Sequence, residues 1–389
     1  MFPTASYVYA VRRSVLFKRP IPTCFSQRHY NILFFGSDEF AIASLRRLLQ
    51  EKDTRLDSGE KLVSAVEVVT PPDSRTGAGG GGIEAPLKKF ALQNDLRVHV
   101  APPKTLRGWK PPQLETPPGN VPFEVAIVVS FRYFLPADLI KTFSAGAFNV
   151  HPSLLPRCRG AAPIQHTILN GDTETGVSII ELHHDQFDAG RILLQTHMKI
   201  SDRVFYKELH DRLAEEGAEN LVTVLKNLKY HRENAKVQDE AHVTSAPKIS
   251  KDMGEVDWES LTMEQIFARH RAIGTKVPLR TTYNNKPVEL VTLLDPSTDL
   301  HRHEIPSKLP DVPPGTIHIR KNDPYLHVKC ADGWIGITKL RFKTRHTFEM
   351  KDFYNGYQPK SGKSRFVFAE KDASGDEQKA KCVPKGLNP

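Results

Sequence analysis

Cysteine is scarce in this chain and scattered: Cys24, Cys158, Cys330 and Cys382 form no Cys-x-x-Cys pair. That spacing argues against a disulfide framework and a structural zinc site, and it fits a reducing compartment. Long apolar runs are missing too. No uncharged stretch approaches the ~18 residues a membrane span needs, so no membrane partner is expected. Internal repeats are absent. Acids are absent from residues 1–30, the first being Asp38.

What is present is an uneven charge. The 389 residues hold 54 Lys+Arg against 45 Asp+Glu, a net +9. At roughly 100–200 residues per domain, that length suggests two or three domains. A basic balance implies a polyanionic partner only where the charge is localised. Here residues 1–30 carry +5, residues 31–246 carry −2 and residues 247–389 carry +6. The first segment combines Arg12, Arg13, Lys18, Arg19 and Arg28 with five hydroxyl residues, the composition of an organelle transit peptide. A plain basic tail is the alternative.

Apolar runs at Asn31–Phe35, Leu62–Val69 and Glu124–Ser130, alternating with helical patterns at Phe40–Leu49 and Ala85–Gln93, read as a parallel α/β sheet. The proline-rich stretch Pro102–Pro122 reads as a surface insertion. Gly176–Leu182 and Arg191–Ile200 alternate like a hairpin around the loop His183–Gly190. Ser201 is the expected cap of a long helix burying Phe205, Leu209, Leu213, Leu221, Val224 and Leu228. A polar linker then leads to short β runs at Pro287–Leu293, Thr316–Ile319, Leu326–Cys330 and Trp334–Phe342, which suggest a small β-barrel with a helix at Thr262–Ala272.

The stretch with chemistry in it runs from Phe148 to Gln165. In a strand, Asn149 and His151 project to one side. At the carboxyl end of a parallel strand, that side opens into the crevice where ligands bind. A neutral imidazole can take a proton, and an amide N–H can stabilise a developing oxyanion. Asp188 is the candidate carboxylate. On periodicity alone, satisfied polar groups at a strand end explain the pair equally well.

Asn149-x-His151-Pro-Ser-Leu-Leu-Pro156, then Arg159-Gly-Ala-Ala-Pro-Ile-Gln165 and Gly171-Asp172-x-x-Thr175-Gly176-Val177, resembles the folate-dependent formyltransferases, and within them those acting on methionyl-tRNA. The likeness includes Phe35-Gly36-Ser37-x-x-Phe40-Ala41, Pro72-Asp73, Lys248-Ile249-x-Lys251, Asp257-Trp258 and Pro313-Pro314-Gly315-Thr316-Ile317, so it covers most of residues 31–357. The resemblance implies a Rossmann-like formyltransferase domain (31–230), a linker (231–247) and an OB-like barrel (248–368), flanked by the leader and a polar tail (369–389). It assigns catalysis to Asn149, His151 and Asp188, and formyl transfer from 10-formyltetrahydrofolate to the α-amino group of initiator methionyl-tRNA in the mitochondrial matrix, with no metal, by a monomer. Ser153, Leu154, Leu155 and Pro156 would line the folate site, with the backbone near Val128 and Ser130 facing the pterin. Rival readings are a formyltransferase for another amine, such as an amino sugar, and an RNA-binding protein on an inactive scaffold.

One loop departs from the family. Ala78 stands where an arginine grips the acceptor end, and Gly79–Gly82 replace lysines. Arg75, Lys88 or Lys89 are the candidates to compensate. In the barrel, Lys339, Arg341, Lys343 and Arg345 alternate on one strand face, suited to a phosphate backbone. Phe348, Phe353, Tyr354 and Tyr357 could stack on bases, or fill the core. His183-His184-x-x-x-Asp188 resembles a ligand set, but adjacent strand residues face opposite ways, which argues against a metal.

Overall fold

Buried apolar runs of this length have to pair with one another, and they do so in a seven-stranded sheet. The computed structural model describes residues 29–53, 61–73, 83–116, 119–297, 312–320, 323–342 and 346–368. The leader (apart from His29 and Tyr30), the Ser74–Gly82 loop with Arg75, Lys343, Arg345 and the tail from 369 lie outside them. The strand order is β3 (Val98–Val100), β2 (Val63–Thr70), β1 (Tyr30–Gly36), β6 (Val125–Val129), β7 (Gly146–His151), β8 (Glu174–Glu181) and β9 (Ile192–Lys199). The first five run parallel, and β8 and β9 complete the edge antiparallel. The order reverses between β1 and β6, where open α/β sheets place their ligand crevice.

Parallel strands need cover on both faces. On one face, α1 (Glu39–Asp53) and the 21-residue α5 (Tyr206–Lys226) enclose Phe34, Val68, Ile127, Phe148 and Val150. On the other, Phe35, Val69, Val128 and Ala147 meet Leu106, Phe123, Phe131 and Phe143. Full burial of a side chain such as Phe35 contributes about 1.5–3 kcal/mol. The stretch expected as a surface insertion therefore helps to cover this second face: Leu106 is fully buried and Trp109 meets Phe35 edge-on at 6.1 Å. It also forms the hairpin of β4 (Leu114–Thr116) and β5 (Gly119–Val121). Its prolines rule out a helix, and an irregular segment covers the sheet instead.

Helix α5 buries Leu209, Leu213, Leu221 and Val224, the stripe its spacing predicts. Ser201 does not cap it. Its Oγ accepts from the Arg203 N–H at 3.1 Å within the preceding turn, and the helix starts after Phe205. Phe205 is exposed rather than buried, and Leu228 belongs to the next helix, α6 (Leu228–Glu233).

The second unit is antiparallel, in the order β10 (Leu279–Tyr283), β11 (Lys286–Leu293), β14 (Trp334–Phe342), β13 (Leu326–Lys329) and β12 (Ile317–His318), with β15 (Thr347–Glu349) added beside β14. Its two outer strands are joined by residues 362–367. Thr316, just before β12, bridges Arg365, and Thr282 of β10 bridges Val367. This closes the sheet on itself around Trp258, Leu279, Val288, Ile335, Ile337 and Phe366. Between the two units lies α7 (Met263–Ile273), capped at both Thr262 and Gln265 by a reciprocal capping box. Its Ile266 and Phe267 enter the barrel core, while Ala272 and Ile273 enter the core of the sheet.

Candidate active site

The alternation of β7 divides its residues between two tasks. Phe148 and Val150 point into the helix-covered core, which leaves Asn149 and His151 together on the other side at the strand's carboxyl end. Asp188 arrives from the loop between β8 and β9, on backbone with φ 55°, a left-handed conformation aspartate tolerates better than most residues. Asn149 Nδ2 donates to Asp188 Oδ1 at 3.0 Å. His151 Nδ1 lies 3.5 Å from the same oxygen, and both side chains are nearly buried, at 5% and 10% exposure. The Gly160 N–H donates to Asp188 Oδ2 at 3.0 Å.

The histidine's other nitrogen fixes its tautomer. His151 Nε2 is 3.0 Å from the carbonyl oxygen of Cys158. A carbonyl can only accept, so Nε2 carries the hydrogen and donates it. Nδ1 is then the ring nitrogen with a lone pair to accept a proton, and it faces the Asp188 carboxylate. Asn149 has one amide hydrogen engaged with Asp188 and a second to offer. A base, its counter-ion and a neutral donor form a constellation suited to acyl transfer onto an amine. Gly160 is required by position: its φ is +127°, and a Cβ there would sit 2.6 Å from the Ala246 carbonyl oxygen.

The loop after His151 is held from below. Ser178 Oγ donates to the Ser153 carbonyl at 2.7 Å and accepts from the Leu155 N–H at 3.2 Å. Gln195 Nε2 donates to the Leu155 carbonyl at 3.0 Å and to Ser178 Oγ at 2.8 Å. Sequence reasoning missed both residues, although a serine and a glutamine inside an otherwise apolar hairpin were the visible signal. Ser153 Oγ donates to the Arg157 carbonyl at 2.7 Å, and Leu155 packs with Ile180 and Ile192. Those side chains, like that of Val128, are buried in the protein. Leu154 and Pro156 are half-buried, and Ser130 is exposed with φ 50° at the end of β6.

The sequence-picked cations are largely engaged with acids. Lys88 pairs with Asp73 at 2.8 Å and lies 3.7 Å from Glu84, which holds its ammonium above the usual lysine range. Lys89 is exposed. Lys339 pairs with Glu349 at 2.9 Å and Arg341 with Glu289 at 2.6 Å, each directly across a strand pair. Phe353 is fully buried and Tyr357 stacks on Phe342 at 4.4 Å, so these two aromatics belong to the barrel core. His183 and His184 do not face apart as strand alternation would require. Strand β8 ends at Glu181, and the two rings stack at 4.5 Å in the following loop. With Asp185 they bring three ligand atoms within 4.8 Å of one another, but His184 and Asp185 are exposed.

Comparison with known proteins follows the same division. Residues 30–225 match the formyl transferase family, and residues 248–358 match the formyl transferase C-terminal domain. The chain is 38% identical over 330 residues to the mitochondrial methionyl-tRNA formyltransferase of Rattus norvegicus, covering 84% of this chain and 78% of that one. It is 36% identical over 329 residues to the Homo sapiens counterpart, with the same two coverages. It is 34% identical over 327 residues to the methionyl-tRNA formyltransferase of Methylococcus capsulatus, covering 84% of this chain and 96% of that one. Among solved structures, HypX from Aquifex aeolicus in complex with tetrahydrofolic acid superposes with a TM-score of 0.53 at 16% identity, over 86% of this chain and 48% of that one. The chain thus spans about half the length of HypX. At that identity the likeness is one of fold.

Proposed function

The chain belongs to the formyl transferase family, and on that premise we propose that it moves the formyl group of 10-formyltetrahydrofolate to the α-amino group of initiator methionyl-tRNA in the mitochondrial matrix. The observation that carries this reading is the cluster at the end of β7 in which Asn149 donates to Asp188 Oδ1 and His151 Nδ1 lies 3.5 Å from the same oxygen. The methionyl-tRNA formyltransferases similar to it, four of them mitochondrial, support the substrate and the compartment. The basic leader fits an address whose removal leaves +4 on the rest of the chain.

The folate supplies a formyl carbon on a nitrogen that can leave. The chain's part starts with the incoming amine, whose nitrogen bonds to that carbon while its proton passes to His151 Nδ1. Asp188 Oδ1 stabilises the imidazolium so formed. The second amide hydrogen of Asn149 donates to the formyl oxygen as that oxygen gains negative charge. When the bond to the folate nitrogen breaks, the His151–Asp188 pair returns the proton to the departing nitrogen, directly or through a water. Bonds and protons balance: one C–N bond forms, one breaks, and the cluster ends as it began. By family resemblance the backbone near Val128 and Ser130 would face the pterin, and the half-buried Leu154 and Pro156 offer apolar contact.

For the tRNA, the acceptor end would reach the sheet through Lys89, Lys88 and Arg75, and the barrel through Lys339, Arg341, Lys343 and Arg345. Lys88, Lys339 and Arg341 must leave a carboxylate to meet a phosphate, so their net electrostatic gain is small. The test is transfer of labelled formyl from 10-formyltetrahydrofolate to methionyl-tRNA, with uncharged tRNA and amino sugars as controls. Selective labelling of methionyl-tRNA is expected. No transfer, or equal transfer to an amino sugar, overturns the reading.

A further inference from the structure

After α6 the chain does not pass straight to the barrel. It crosses behind the catalytic cluster first. Lys236 exchanges both backbone hydrogen bonds with Ile192, at 2.8 and 2.9 Å. Two residues on, the side chain of Gln238 is almost fully buried. Its Nε2 donates to the carbonyl of Asp188 at 2.7 Å and to that of Gly190 at 2.8 Å, while its Oε1 accepts from Arg159 Nε at 3.0 Å. Glu240 then takes the other face of the Arg159 guanidinium, at 2.8 and 3.2 Å. Thr244 Oγ1 accepts from the Cys158 N–H at 2.8 Å, and the Thr244 carbonyl accepts from the Arg159 N–H at 2.9 Å. The Ala246 N–H donates to the Arg159 carbonyl at 2.7 Å.

These contacts meet the groups that aim the cluster. The Cys158 carbonyl sets the His151 tautomer, the Gly160 N–H holds Asp188 Oδ2, and the left-handed backbone of Asp188 sets where its carboxylate stands. The Gln238 side chain bonds to both sides, to the Asp188 turn and, through Arg159, to the loop that carries Cys158 and Gly160. We propose that Gln238 is a positioning residue for Asp188, and that residues 236–246 form a strap locking the carboxylate and the imidazole in register. This rests on the catalytic reading of Asn149, His151 and Asp188. The bonds explain why a segment polar enough to look like a linker is ordered: its amide, hydroxyl and carboxylate groups are matched to two loops rather than to water.

The test compares wild type with Gln238→Ala, Gln238→Glu and Glu240→Ala, measuring kcat and KM for each substrate. Gln238→Ala removes the hold on Asp188 and is expected to lower kcat by about 100-fold, the scale of a small misplacement of reacting groups. Both KM values stay unchanged. Gln238→Glu keeps the partner of Arg159 but points an acceptor at two carbonyls, so it does not restore kcat. Glu240→Ala changes an exposed carboxylate, is expected to fold as wild type, and lowers kcat only a few-fold. Wild-type kcat in folded Gln238→Ala overturns the proposal. If that variant does not fold, the same result in Gln238→Glu does so. Nitrogen NMR of histidine-labelled protein is independent of turnover: an unchanged His151 ring signal in Gln238→Glu also overturns it. Absence of transfer by wild type would instead count against the proposed function.

Discussion

Asp188 of the parallel-sheet domain and the cations of the barrel are held in opposite ways. Asp188 accepts from the Asn149 amide and the Gly160 N–H, neutral donors that orient a negative charge without cancelling it. Lys339 and Arg341 are each met by a glutamate on the neighbouring strand, which cancels most of what they could offer a distant phosphate. Exposed pairs of this kind contribute about 0–1 kcal/mol to stability. A charge kept for chemistry is therefore surrounded by neutral donors, whereas charge on a folded strand is paired unless something stronger displaces its partner. A count of charged residues along the chain treats the two alike.

The largest expected effect comes from breaking the first arrangement. Asp188→Asn preserves shape and the contact with Asn149, but it removes the counter-ion for protonated His151. A fall in kcat of about 10²–10⁴-fold is expected, the usual worth of a positioned acid–base group. His151→Ala should match it. In both, tRNA affinity by filter binding should stay near wild type, because the barrel is untouched. Parallel loss of binding would mean that the two regions do not divide the work.

A smaller effect tests the joint between them. His270 lies on α7, and burial, with Arg271 beside it, pushes its imidazole down to about 4. Its Nδ1 is buried without a partner. The folded state therefore keeps His270 neutral while the unfolded chain protonates near its ordinary 6.5. Between those values the unfolded state binds more protons, so stability is full above pH ~6.5 and declines as pH falls toward ~4, by about 3 kcal/mol. A His270→Leu variant should show a shallower fall of Tm with pH across that window. An identical fall would remove His270 as the cause.

How far the sequence reached follows from the range of each interaction. Strands β1, β2, β6 and β7 were legible because a strand buried on both faces must be almost continuously apolar. Asn149 and His151 were legible as a pair because two-residue periodicity places them on one side. The capping box of α7 went unread, although Thr262 and Gln265 are its usual residues. Gln238 was not legible, since its partners are carbonyls of Asp188 and Gly190 about fifty positions away, and carbonyls leave no mark in a sequence. The cover given by Leu106 and Trp109 was hidden by their proline-rich setting. Closure of the barrel by residues 362–367 was hidden because the bridges to Thr316 and Thr282 are single pairs, too short to show alternation. The pairing of Lys339 and Arg341 depends on strand register, and register decides which glutamate stands opposite.

That register permits the smallest and most discriminating test. If Lys339 and Arg341 meet tRNA phosphates, their glutamates compete with the RNA. Glu289→Gln and Glu349→Gln should then lower the KM for tRNA at low salt. The slope of log affinity against log salt should steepen by up to about 0.9 for each cation released. If the pairs serve only the sheet, the same substitutions cost about 0.2–1 kcal/mol each in cross-strand stability and leave the salt slope alone. Thermal melting and salt-dependent binding on one pair of variants separate these outcomes. A steeper slope with little change in Tm would mean that the barrel's charge is latent and becomes available when RNA displaces the glutamates. A lower Tm with an unchanged slope would shift the search for phosphate contacts to Lys89, Arg75, Lys343 and Arg345.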